Sequence, residues 1–230
     1  MKKFAIIVAG GNGTRMNNVT PKQFLLLKGK PVLFYAINTF LETYDDCKII
    51  LVLPEEHVGV GQEIIDAFFD YKSIEIVIGG RTRFHSVQNG LALVDEEDSV
   101  IFVHDAVRPL LSGSLINRCY DSVLEYGTAI PVIDCKDSVR IINENGNEPV
   151  ERSTIKLVQT PQAFHGKILL PSFFAIDYKD KFTDEASVVA AFGLKVSLVE
   201  GEEENIKVTK TTDLLIAEAI ISSRKINISS

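Results

Sequence analysis

Short apolar runs and longer amphipathic stretches alternate along the first two thirds of the chain. Residues 4–8, 48–53, 74–78, 100–103 and 129–133 are apolar nearly throughout and rich in β-branched side chains. Runs of that length without polar alternation are expected of strands covered on both faces. Between them the apolar positions recur at helical spacing. Residues 31–44 open with Pro31 at an expected first helical position, and Val32, Tyr35, Ala36, Thr39 and Phe40 share one face. Residues 55–71, 81–94 and 112–126 behave similarly.

This alternation predicts an α/β fold, a Rossmann-like and mostly parallel sheet flanked by helices with right-handed crossovers. Ligands of such sheets bind outside the carboxyl ends of the strands. The first strand ends at Ala9-Gly10-Gly11-Asn12-Gly13-Thr14-Arg15, and the fourth at His104-Asp105-Ala106-Val107-Arg108-Pro109. Both loops are expected on one edge. After Asp134 the pattern breaks. "VRIINENGNEPVERSTI" holds two short extended runs around Asn145-Gly146, a hairpin turn signal. The stretch is too polar to cover the sheet, so an arm at about 136–155 that finds its cover on a partner subunit is expected. A helix from about Asp184, a strand at 195–199 and a last helix from Thr212 complete the pattern. Without an internal repeat or a low-complexity linker, residues 1–230 read as a single domain carrying a protruding β-hairpin dimerisation arm.

Composition narrows the partners. Of 230 residues, 46% are hydrophobic and 24% charged, as in an ordinary globular protein. A net charge of −7 argues against a nucleic-acid or anionic-membrane partner, which needs a basic face. A local basic pocket for a small anion is compatible with it. Cys47, Cys119 and Cys135 are odd in number and never paired as Cys-x-x-Cys, as expected of reduced thiols in a cytoplasmic protein. Lys2-Lys3 is followed by too short an apolar run for a signal peptide, and no run approaches a membrane span.

The glycine loop matches neither the dinucleotide fingerprint nor the P-loop, since Met16 stands at the third glycine and Gly13-Thr14-Arg15 replaces Gly-Lys-Ser/Thr. What remains is a backbone open to phosphates, with Arg15 and Lys22 to place charge on them. The alternative is a tight turn with two solvated cations. Asp105 is a hard oxygen ligand suited to Mg²⁺, and Arg108 is suited to a forked phosphate contact. The alternative there is an Asp105–Arg108 ion pair that holds the loop. His104 reads as structural, because no nucleophile-elbow sequence accompanies it. Gly79-Gly80 permits close approach to a planar base, with Ser86 available for a hydrogen bond. Lys207, taken alone, reads as a solvated lysine.

In this order the pieces resemble the 2-C-methyl-D-erythritol 4-phosphate cytidylyltransferases, within the nucleotidyltransferase superfamily. "AGGNGTRM", "PKQF", "GGRTRFHSVQNGL", "VHDAVRP", "DCKDSVR", "TPQAF", "TDEAS" and "VEGEEENIKVT" carry the likeness from end to end. The resemblance implies CTP and an alditol phosphate as substrates, Mg²⁺ as cofactor and a homodimer joined through the arm. It makes Arg15 and Lys22 the cations that stabilise the transition state. It lines the CTP site with Ala9, Gly10, Gly11, Gly13, Gly80, Ser86 and Ala106. Asp105, Arg108, Ser138, Arg152 and Lys207 map to groups around the metal and the alditol phosphate, with Arg152 reaching the partner's site. Ser138 stands where the family often has Thr, which keeps the hydroxyl. Arg81 replaces what is often a smaller or acidic residue, and no side-chain role is carried over to it. Ribitol-5-phosphate cytidylyltransferase, which shares the Gly-rich loop and "HDAVRP", is the nearest rival. A nucleotide-binding module without catalysis is the rival from another class.

Overall fold

The computed structural model describes residues 1–10, 20–69, 73–144 and 146–226. The apolar runs form β1 (Lys2–Val8), then, after a two-residue ribbon of β2 (Leu26–Leu27) and β3 (Lys30–Pro31) and helix α1 (Val32–Thr43), β4 (Cys47–Leu53). Helix α2 (Val58–Phe68) leads to β5 (Ile74–Ile78), α3 (Arg83–Leu91) to β6 (Ser99–Asp105), and α4 (Gly113–Tyr126) to β7 (Thr128–Asp134). The expected boundaries shift where caps intervene. Pro31, with ψ 145°, stays extended outside α1. Thr82 begins α3 by accepting from the His85 N–H, and Ser112 begins α4 by accepting from the Leu115 N–H. Residues 55–57 form a 3₁₀ turn ahead of α2.

Strand alternation explains why the runs are apolar on both sides. Ala5 and Ile7 of β1 meet Leu33, Ile37 and Phe40 of α1 and residues of α4, whereas Phe4 and Ile6 face Phe84, Val87 and Leu91 of α3. β5 departs from this expectation. It lies at the end of the sheet order, and Ile78 is 49% exposed.

The second half holds three elements that periodicity did not predict, two strands and a helix. Following the hairpin of β8 (Arg140–Asn143) and β9 (Gly146–Pro149), the chain forms these three, β10 (Lys156–Val158), β11 (Gln162–His165) and α5 (Gly166–Phe174). Helix α6 (Glu185–Ala191), β12 (Leu198–Glu200) and α7 (Thr211–Ile226) follow. β11 sits inside the sheet, antiparallel to both β6 and β7, in the order β10-β7-β11-β6-β1-β4-β5, with β12 parallel to β7. β1, β4, β5 and β6 pair in parallel, and Val8 stands opposite Asp105 in the register. The two loops expected on one edge therefore emerge side by side.

Among the described residues the β8–β9 hairpin pairs only with itself, and Ile142 is 85% exposed on it. That is the protruding arm. Gly127, which ends α4, shows how tightly the body is built. It has φ +80°, and a Cβ there would stand 2.6 Å from Ile168 Cδ1. Gly127→Ala is expected to cost about 1–2 kcal/mol through the left-handed conformation alone. A thermal unfolding midpoint unchanged from the parent would contradict it.

Candidate active site

The ends of β1 and β6 are stitched together by main chain. The Ala106 N–H donates to the Val8 carbonyl at 3.0 Å, and the Ala9 N–H donates to Val52 at 2.9 Å. Ala9, Gly10 and Ala106 thus form one continuous rim. Gly10 and Gly79 converge on it around Ser86, whose Oγ would lie 3.5 Å and 3.0 Å from a Cβ on either glycine. Ser86 Oγ also accepts from the Gly80 N–H at 3.1 Å. A Cβ on Gly80 would come within 2.4 Å of His85 Cβ, so α3 approaches that glycine too closely for any side chain. Of the residues expected to hold the nucleotide, Ala9, Gly10, Gly80, Ser86 and Ala106 are therefore brought together. Arg15, Gly11 and Gly13 lie outside the described residues.

Lys22 opens a 3₁₀ turn whose neighbour Gln23, almost fully buried, donates to the Ala9 carbonyl at 2.8 Å. The "PKQF" segment is thereby fastened to the start of the glycine loop. Lys22 Nζ donates to the Thr209 carbonyl at 2.8 Å. Thr209 is fixed in turn, because its N–H and Oγ1 and the Lys210 N–H all donate to Asp213 Oδ2.

Asp105, buried at the carboxyl end of β6, is the centre of charge. Lys207 Nζ donates to its Oδ2 at 2.8 Å, Arg83 Nη2 to its Oδ1 at 3.3 Å, and Arg108 Nε lies 3.8 Å from Oδ2. Burial pushes the Asp105 carboxyl up, but Arg83, Lys207 and Arg108 together hold it well below the usual carboxylate range. Lys207 is thus not merely solvated. The Asp105–Arg108 ion pair of the alternative reading is present too, as the longest of these three contacts, and Arg108 is engaged elsewhere as well. Its Nη1 donates to the Asn205 carbonyl at 2.7 Å, and its buried Nε has no hydrogen-bond partner among the described residues.

His104 supports the loop, as its sequence context suggested. The Asp105 N–H donates to Thr160 Oγ1, that hydroxyl faces His104 Nδ1 at 3.0 Å, and His104 Nε2 faces the Arg108 carbonyl at 3.3 Å. One tautomer satisfies all three contacts, with Thr160 donating to Nδ1 and Nε2–H donating to the carbonyl. Burial pushes the imidazole down to about 4, so it is neutral at pH 7.

Two residues of this cluster were not singled out from sequence. Arg83 stands just inside α3, and Glu185, fully buried, is the first residue of α6. Both lie in quoted motifs, which was the available signal. Ser138 and Arg152 are not drawn in. Both are exposed at the arm, and Arg152 Nη1 donates to the Lys136 carbonyl at 2.9 Å. Among the described residues no hydrogen bond links either to the Asp105 cluster. Nor does any group of three His, Cys, Asp or Glu there form a ready-made metal site, and no described helix is long and apolar enough to cross a membrane.

So cationic a cluster beside so open a backbone suits a phosphate-bearing substrate, and the likeness to known proteins places the chain among the nucleotidyltransferases. A sequence profile of the 2-C-methyl-D-erythritol 4-phosphate cytidylyltransferase family (IspD) matches residues 4–223. The Bacteroides fragilis protein of that name is 46% identical over 222 residues, covering 96% of this chain and all of that one. The Phocaeicola vulgatus protein is 45% identical, with the same coverage. The crystal structure of the Francisella tularensis cytidylyltransferase superposes with a TM-score of 0.80 at 29% identity, over 95% of this chain and 99% of that one. The chain belongs to the 2-C-methyl-D-erythritol 4-phosphate cytidylyltransferase family.

Proposed function

We propose that this chain joins CTP to 2-C-methyl-D-erythritol 4-phosphate, giving 4-diphosphocytidyl-2-C-methyl-D-erythritol and pyrophosphate. A substrate phosphate oxygen forms a bond to the α-phosphorus of CTP, and the bond from that phosphorus to the β-phosphate bridge oxygen breaks. The supporting observation is Asp105 held by Lys207 and Arg83 beside the Ala9, Gly10, Gly80 and Ser86 rim. A phosphate monoester is largely ionised at pH 7, with a second pKa of about 6, so no general base is required. The neutral, fully bonded His104 is in keeping with that. Catalysis is then positioning and charge stabilisation.

In this reading Ala9, Gly10, Gly11, Gly13, Gly80, Ser86 and Ala106 receive CTP, and Arg15 and Lys22 meet the charge that develops on the α-phosphate. Asp105, Arg108 and Lys207 receive the alditol phosphate, with the Arg108 Nε–H, which has no hydrogen-bond partner among the described residues, facing an acceptor. Ser138 and Arg152 complete the site from a partner's arm in a homodimer, the chain otherwise acting as one domain. Mg²⁺ takes few protein ligands when phosphates supply the rest. One carboxylate, Asp105, fits that donor set, and the ion would neutralise phosphate charge there.

Pyrophosphate release measured with CTP, Mg²⁺ and each of two acceptors tests the reading. Faster turnover of 2-C-methyl-D-erythritol 4-phosphate than of ribitol 5-phosphate is expected. The reverse order would move the assignment to the ribitol enzyme, and release with neither would reduce the chain to a nucleotide-binding module.

A further inference from the structure

Glu185 is a carboxylate with no exposure, and burying such a group is costly unless something holds it. Arg83 does so with a fork: Nη1 donates to Oε1, and Nη2 to Oε2 at 3.2 Å. The same Nη2 reaches Asp105 Oδ1 at 3.3 Å. One guanidinium therefore spans a carboxylate that belongs to the proposed site and one that does not. The anchor is rigid. Gln162, fully buried in β11, donates to Asp184 Oδ2 at 2.9 Å and accepts from the Ala186 N–H at 2.8 Å. Glu185 lies between those two residues. β11 is hydrogen-bonded to β6, the strand that ends in Asp105. The two carboxylates are thus referenced to one sheet while Arg83 bridges them.

Stability alone does not account for the arrangement. Buried ion pairs are often matched by packed apolar side chains of similar volume. What an apolar pair would not supply is a directed N–H on Asp105. We propose that Glu185 is a positioning residue, which holds the Arg83 guanidinium so that Arg83 fixes the Asp105 carboxylate in the orientation that receives the alditol phosphate. The inference rests on the reaction proposed above. CTP, received by the rim around Gly10, Gly80 and Ser86, is predicted to be nearly indifferent to it.

Steady-state kinetics separate this role from a structural one. Glu185→Gln keeps the shape but removes the charge that pins Arg83. Its KM for the alditol phosphate should rise roughly 10- to 100-fold, the usual effect of losing a partner that orients a site group. Its KM for CTP should stay within about twofold. Should that variant fail to fold at the assay temperature, Arg83→Met/Glu185→Leu removes both charges and leaves neither unpaired; it should fold and show the same selective loss. A folded variant with both KM values and kcat unchanged would overturn the proposal. So would a loss of activity that only tracks the folded fraction, with both substrates affected alike. The parent enzyme runs in the same assay. A parent that releases no pyrophosphate refutes the reaction itself, whereas an active parent beside an equally active variant refutes only the role of Glu185.

Discussion

Replacing Asp105 by asparagine is expected to lower turnover about 10²- to 10³-fold, the typical cost of losing one preorganised electrostatic group. Asparagine keeps the size of the side chain and one acceptor oxygen but loses the charge. Lys207 and Arg83 then lose the charged acceptor that they share, and Arg108 loses its nearest anion. Some stability goes too, because three cations remain around a neutral group. The cations are partly exposed, Arg83 28% and Lys207 44%, so solvent screening brings this to about 1–3 kcal/mol rather than the cost of a fully buried pair. The sign of its pH dependence follows from linkage. Asp105 titrates lower in the folded protein than its unfolded value of about 3.9, so its stabilisation is complete above that pH and fades as pH falls below it. The stability gap between parent and variant should narrow in the same acid range. Activity per folded molecule, with the folded fraction read from thermal unfolding, checks the main claim. Normal turnover of the folded fraction would leave Asp105 as a clasp for the loop and nothing more.

The legible parts of the fold are those where one physical cue dominates. β4 and β6 are buried on both faces, so burial wrote continuous apolar runs into the sequence. The arm was legible from Asn145-Gly146 and from Ile141 and Ile142, which find no cover in the body. β11 was hidden because its Gln162 is polar and wholly buried, spent on anchoring α6 instead of on packing. α5 was hidden by Pro171, which breaks the helical pattern from inside. In the site, Asp105 and Arg108 could be found because they share one short loop at a strand end. Lys207 lies 102 positions from Asp105 in the chain, and only the family resemblance linked them. Arg83 and Glu185 are as far apart, and a lone long-range ion pair leaves no spacing to read.

Mixing two inactive variants should restore activity if the arm works across a dimer. Lys22→Ala removes a cation proposed to meet charge as it develops on the α-phosphate, and Arg152→Ala removes a guanidinium from the arm. Each homodimer is expected to lose most of its turnover, again about 10²–10³-fold. Arg152 is exposed, and its guanidinium donates to the arm's own Lys136 carbonyl. A two-stranded hairpin is marginal alone in water, and Ile141 and Ile142 project from this one uncovered. A two-fold dimer would cover both arms by the same contacts. If each arm carries Arg152 into the partner's site, a heterodimer of the two variants has one site lacking both groups and one site complete. Activity then returns to about half the parent level per heterodimer, since one of two symmetric sites is intact. If Arg152 serves its own subunit, every heterodimer site lacks one group, and no activity returns even when subunit exchange is confirmed by a mass-tagged partner.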